Sequence, residues 1–236
     1  MKLKKFFKAF SLMVAAVMIC GVFASCGHVT ESSSTTDTTN SSKSENSNET
    51  EASFVITLYP KYAPITCENF EKLVKEKFYD GLTFHRIIDG FMAQGGESKD
   101  SSKEADTIKG EFINNGVDNK LSHKKGIVSM ARLGNDNDSA SSQFFICFTD
   151  DYSSTLDKNY AAFGKVTEGM ENVEKLQTVK RTTKSIGEEA EPVYPVTIQK
   201  AEMIDDDENG NHRVKFTITF TPDNGSESSS AAESAE

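Results

Sequence analysis

The sequence predicts a mostly-β domain, a closed antiparallel barrel capped at its ends by two α-helices. Short alternating apolar runs recur between turn signals across residues 53–205, and only two stretches of helical spacing interrupt them, set far apart. On either side the composition turns polar and repetitive, which leaves the 236-residue chain one core of ordinary size.

Taken in order, Phe54, Ile56 and Leu58 alternate with Val55, Thr57 and Tyr59, and Pro60 closes this first strand. Pro64 leads into a helix, with Thr66 as candidate N-cap, Glu68 in the first turn, and Phe70, Leu73, Val74 and Phe78 on one stripe. Tyr79-Asp80-Gly81 turns the chain into residues 84–96, FHRIIDGFMAQGG, where two apolar runs flank Asp89-Gly90; that pair favours positive φ and predicts a hairpin. A polar loop follows over residues 97–106. Residues 127–131 and 143–148 read as strands parted by a Gly-Asn-Asp-Ser-rich loop, and residues 161–166 as another. Met170, Val173, Leu176 and Val179 predict a second helix over residues 169–179, and residues 196–203 the last core strand.

Alternation gives the middle strands a mixed face. Arg86 projects from one side of its strand, Met92 and Gln94 share a face of the next, and Gln143, Phe145 and Cys147 lie together opposite Phe144, Ile146 and Phe148. One side thus combines a cation, a thioether, two amides and an aromatic ring.

The flanks read as export and tether. Lys2, Lys4, Lys5 and Lys8 precede an apolar run over residues 9–22 broken only by Ser11, so residues 1–25 are expected to be a bacterial signal peptide. Val22-Phe23-Ala24-Ser25-Cys26 resembles a lipobox, in which Cys26 takes a diacylglyceryl thioether before cleavage; Phe23 stands where Leu is usual. An ordinary secretory signal or an uncleaved anchor is the alternative, though the run is short for a stable span. Residues 26–52 are a Ser/Thr-rich tether, unable to bury enough apolar surface to offset ordering, and residues 222–236 are a second such tract. Loss of the four signal lysines takes the formal charge from −10 to −14, which argues against nucleic acid and against a membrane-hugging surface.

Of the four cysteines, Cys20 leaves with the signal and Cys26 is the lipid site; Cys67 and Cys147 read as buried inert thiols. His28, His85, His123 and His212 form no ligand spacing, and no metal is expected. Residues 205–210 match the start of a calcium loop, yet Phe216 stands where a bidentate Glu is needed. Asn209-Gly210 is better read as a hairpin turn into a further alternating run over residues 214–220. Because the polar tract reaches almost to Phe54 and leaves room for one strand before the first helix, this C-terminal extension, residues 206–221, is expected to supply a barrel strand and cover an open edge.

FHRIIDGFMAQGG, SMARLGNDNDSASSQFFI and AAFGKVTEGM resemble the signature blocks of the cyclophilin-type peptidyl-prolyl cis-trans isomerases, in the expected order between about Phe54 and Asp205. The resemblance implies eight strands, a helix at each end, and an active groove on the outside of the barrel. A lumen-facing set would be uniformly apolar, so the outer groove accounts for the mixed face. By resemblance Phe91, Met92, Phe145 and Leu156 form the proline pocket, Arg86 approaches the prolyl nitrogen, Gln94 and Gln143 orient the carbonyl before proline, and backbone around Ala131 and Arg132 pairs with the extended peptide. Tyr160, another expected substrate contact, stands where the family often has His, Arg132 where Asn is common, and Thr155 where Trp is frequent; weak cyclosporin binding follows.

No cofactor is implied. The implied protein is a lipid-anchored, extracytoplasmic monomer, with proline-containing segments of exported proteins as its partners. A proline-binding module or chaperone without required turnover is the alternative.

Overall fold

The computed structural model describes residues 49–183 and 187–223. The expected signal peptide, Cys26, nearly all of the expected tether and the C-terminal tract beyond Asp223 lie outside the described residues. Strand β1 (Thr50–Leu58) starts before the apolar alternation because a distant partner, described below, draws Thr50 to Ser53 into its ladder. Helix α1 (Pro64–Lys75) follows, with Pro64 in its first turn and Thr66, Cys67, Phe70, Leu73 and Val74 buried.

Thr66 is not the N-cap. It lies inside the helix, fully buried, and Ala63 holds the cap position with no side-chain bond. The orphan amides of Ile65 and Thr66 donate instead to Glu111 Oε1 and Oε2, at 3.1 and 2.7 Å, and Thr66 Oγ1 donates to the same carboxylate at 2.7 Å. A carboxylate at a helix N-terminus suits both the open N–H groups and the helix dipole. It arrives from 45 residues away, beyond the reach of any local capping pattern.

The expected hairpin forms from β2 (Phe84–Ile88) and β3 (Met92–Gly95), with Gly90 at φ 64° between them. Strands β4 (Ile127–Met130) and β5 (Phe144–Cys147) follow, then a one-turn helix α2 (Ser153–Leu156), which periodicity did not anticipate, and β6 (Ala162–Glu168). The single helix expected over residues 169–179 divides into α3 (Met170–Glu174) and a 3-10 turn (Lys175–Thr178), so the described residues hold three α-helices rather than two. Apolar spacings of three residues fit either helix type. Gly169 starts α3 at φ 73°, and a Cβ there would sit 2.5 Å from the Ser53 carbonyl, which excludes any other residue without backbone movement.

A small hairpin not foreseen, β7 (Arg181–Thr183) with β8 (Glu189–Pro192), precedes β9 (Thr197–Ile204) and β10 (Arg213–Phe220). Eight strands form one antiparallel sheet in the order β2-β3-β5-β4-β6-β1-β10-β9. Strand β10 lies between β1 and β9, in register from Thr50↔Phe220 to Thr57↔Arg213 on one side and from Arg213↔Ile204 to Thr219↔Thr197 on the other.

The barrel is open rather than closed. Its terminal strands β2 and β9 meet only at their ends, through the bridge Thr83↔Thr197, Phe84 N–H donating to Val196 O at 2.9 Å and Ile198 N–H to Leu82 O at 2.8 Å. Past that point the β7–β8 hairpin lies beside β2. No further ladder runs along the seam among the described residues, and the sheet is a half-barrel.

Its concave side is filled by rings. Phe216 of β10 stacks on Phe54 at 5.3 Å and 6°, and packs against Phe70, Tyr79 and Phe144 at centroid separations of 6.1, 6.0 and 5.7 Å. Burial on this scale dominates folding stability.

Candidate active site

Strands β3 and β5 present two different faces. Ala93, Phe144 and Ile146 join the main core, whereas Met92, Phe145 and Cys147 point the other way and meet Leu156 of α2 in a separate cluster. Ile88, Phe91, Ala131 and Tyr160 pack around it, half-buried. Period-two alternation sorts these side chains, and register aligns them: Arg86 faces Gln94, Gln94 faces Phe145, and Phe145 faces Ser129 across four adjacent strands.

On this outer face lies a groove with a cavity volume of about 250 Å³. Phe91, Met92, Phe145 and Leu156 line its apolar part, Arg86 and Gln94 one end, and Ala131, Arg132 and Tyr160 the rest. Gln143 stands just behind, with Gln94 Nε2 donating to its Oε1 at 2.8 Å. The ten residues singled out from the sequence thus come together in one place. The Arg132 guanidinium sits 5.0 Å from both the Phe112 and Tyr160 rings, and its Nε–H donates to Asn159 O at 2.8 Å. It therefore braces one wall.

Arg86 organises the polar end. Its Nη1 donates to Gln94 Oε1 at 3.3 Å. An arginine can only donate, so Gln94 turns its oxygen to Arg86 and its nitrogen to Gln143. The other edge of the guanidinium is occupied by Glu188, which accepts from Nε at 2.8 Å and from Nη2 at 2.7 Å. Glu188 immediately precedes β8 and was absent from sequence reasoning. A contact 102 residues apart leaves no local pattern.

Behind Phe145 is a buried polar support. The His123 ring stacks on Phe145 at 6.0 Å and 14°. Asp157 Oδ1 lies 2.9 Å from His123 Nδ1, and a carboxylate only accepts, so Nδ1 carries the proton and Nε2 accepts from Ser129 Oγ at 2.9 Å. The connectivity is that of a hydrolase triad. Ser129, however, is fully buried within β4, so the array serves structure. Burial lowers the His123 pKa against the opposing pull of Asp157. Burial also raises Asp157, but the hydrogen bonds from His123 and Ser122 outweigh it and hold that carboxyl below its ordinary value.

Tyr152, likewise unforeseen, lays its exposed ring on Phe91 at 4.3 Å. Cys67 and Cys147 are buried, and burial pushes both thiols up to about 12.

Residues 27–203 match the family described as cyclophilin type peptidyl-prolyl cis-trans isomerase/CLD. The chain belongs to this family. The activity that accompanies membership is cis-trans isomerisation of peptide bonds preceding proline. Among relatives of this cyclophilin-type chain, a peptidyl-prolyl cis-trans isomerase of Acinetobacter baylyi is 42% identical over 146 residues, spanning 61% of this chain and 76% of the relative. Peptidyl-prolyl cis-trans isomerase A of Dickeya dadantii is 39% identical over 153 residues, spanning 63% and 78%. The crystal structure of a cyclophilin type peptidyl-prolyl cis-trans isomerase from Cryptosporidium parvum, determined in the presence of the dipeptide Ala-Pro, superposes with a TM-score of 0.50 at 25% identity, covering 61% of this chain and 88% of that one. The family match ends at residue 203, so β10 lies beyond it.

Proposed function

We propose that the groove binds an X-Pro segment with the proline ring on Phe91, Met92, Phe145 and Leu156, and that Arg86 promotes rotation about the X-Pro bond. The observation that carries this reading is the grouping of an apolar pocket, set apart from the main core, with the Arg86 guanidinium at its polar end, while Arg132 is packed against the Phe112 and Tyr160 rings. The Ala-Pro dipeptide present with the solved relative fits the same reading.

The chemistry asks for little beyond that. Amide resonance opposes rotation with a barrier of about 18–20 kcal/mol, while the cis and trans ground states of X-Pro differ by about 0.5–1 kcal/mol. Twisting breaks the resonance and leaves a lone pair on the prolyl nitrogen. The Arg86 guanidinium donates a charge-assisted hydrogen bond to that lone pair, which a planar amide offers only weakly, so the twisted state is bound in preference. Gln94 and Gln143 hold the carbonyl side while the apolar pocket holds the ring. The Ala131 N–H already donates to Gln143 O at 2.9 Å, so peptide pairing at that residue uses its carbonyl.

The protein is further proposed to act on exported proteins, held to the bacterial cell membrane through a lipid on Cys26 and reaching outward on the tether. The lipobox-like residues 22–26, the polar tract after them and the acidic mature charge support this placement. Measurement of turnover on a short X-Pro peptide, by a conformer-selective protease or by NMR exchange, tests the role of Arg86. Arg86→Ala should lower kcat/KM by about 10²–10³-fold with the fold intact and peptide binding retained. Unchanged turnover would remove Arg86 from the reaction.

A further inference from the structure

We infer that Glu188 is the positioning residue for Arg86, holding the guanidinium in the one orientation that serves the groove. This rests on the proposed role of Arg86 and deepens it. A guanidinium is planar with its donors in a fixed fork. A single hydrogen bond to it leaves rotation about that bond, and two parallel bonds to one carboxylate remove it. Glu188 makes the two, at 2.8 Å from Nε and 2.7 Å from Nη2, along the lateral edge of the fork. Gln94 adds a weaker third contact at 3.3 Å to Nη1. The end of the fork is thereby the part presented to a bound peptide, and Arg86 keeps its place in the groove lining.

The partner residues come from elements that already touch. Arg86 is central in β2, and β8, which begins at the residue after Glu188, lies beside β2. Side-chain exposures of 31% and 30% leave the pair in contact with solvent. A pair this exposed contributes little to folding stability, so its loss is to be read in turnover. Released into its other staggered rotamers, the guanidinium would hold the competent placement about one time in ten, and turnover falls by that factor.

The test compares kcat and KM on one X-Pro peptide for the full chain, for Glu188→Ala, Glu188→Gln and Glu188→Asp, and for Glu188→Ala combined with Arg86→Ala. Glutamine keeps the shape but presents one accepting oxygen and a donating NH2 in place of two accepting oxygens, so the parallel pair of bonds is lost, and Ala and Gln should each lower kcat about tenfold with KM within about twofold. Aspartate, which restores the accepting carboxylate, should recover turnover to within about threefold of the parent. In the Arg86→Ala background Glu188→Ala should cost nothing more, since the two residues act as a unit. Turnover unchanged or faster in Glu188→Ala, or an equal loss with and without Arg86, would overturn the inference. Full turnover in Arg86→Ala alone would overturn the proposed function itself, so the two failures are distinguishable.

Discussion

His123 sits between the groove and the solvent-facing Asp157, and its titration ties the pocket to pH. The folded chain resists the proton that the unfolded chain accepts near pH 6.5, because burial lowers the folded pKa. Unfolding is therefore favoured as pH falls below about 6.5, until the folded pKa is passed. Asp157 works in the same direction at lower pH: its carboxyl is held below 3.8, so its stabilisation is full above that value and is lost as pH falls through the folded pKa. The His212–Glu71 contact raises the His212 pKa and opposes this trend equally in parent and variant, so from pH 7.5 to 5 Tm should fall more steeply in the parent than in His123→Asn, whose amide still reaches toward Asp157 but does not titrate and whose Tm should be lower at pH 7.5. An equal slope in both proteins would place the pH response elsewhere. At this scale the sequence was informative where chemistry and spacing coincide. Arg86, Met92, Gln94, Gln143 and Phe145 lie in contiguous blocks, and alternation puts them on one face. Glu188, Tyr152 and Glu111 escaped notice because each acts on a residue tens of positions away.

Among the elements, β10 is the one whose sequence pattern reached furthest. Alternation over residues 214–220, together with the lack of room for a second strand before α1, pointed to a strand supplied from the C-terminal side, and β10 pairs on both edges. Its anchor is Phe216, fully buried against four rings, those of Phe54, Phe70, Tyr79 and Phe144. Phe216→Ala should destabilise the fold by about 3–5 kcal/mol, measured by urea unfolding. A loss below about 1 kcal/mol would mean that β10 is an appendage. The helices were harder to read. Residues 169–179 carry apolar spacings that suit α and 3-10 turns alike, and the four-residue α2 has too few turns to show any period. The open seam was also hidden, since strand patterns report which face is buried and not whether the first and last strands pair along their length.

For the whole molecule, the proposed lipid on Cys26 carries a clear expectation. Expressed in a bacterium with its natural N-terminus, the chain should fractionate with membranes, and Cys26→Ser should shift it to the soluble extracytoplasmic fraction with peptide turnover unchanged. Soluble behaviour of the parent chain would refute the anchor. An acidic domain on such a tether is kept off an anionic membrane surface by like charge, within the Debye length of about 8–10 Å.

The position of β10 also governs when the domain can form. One edge of β1 stays without its partner until residues 213–220 are available, and the aromatic cluster lacks Phe216 until then. Pairing between positions so far apart in the chain is slow, because loop closure precedes any gain from contact. The eight-stranded sheet and its ring cluster are therefore completed only once residues 213–220 have been made, so the strands that precede β10 wait for it with an open edge.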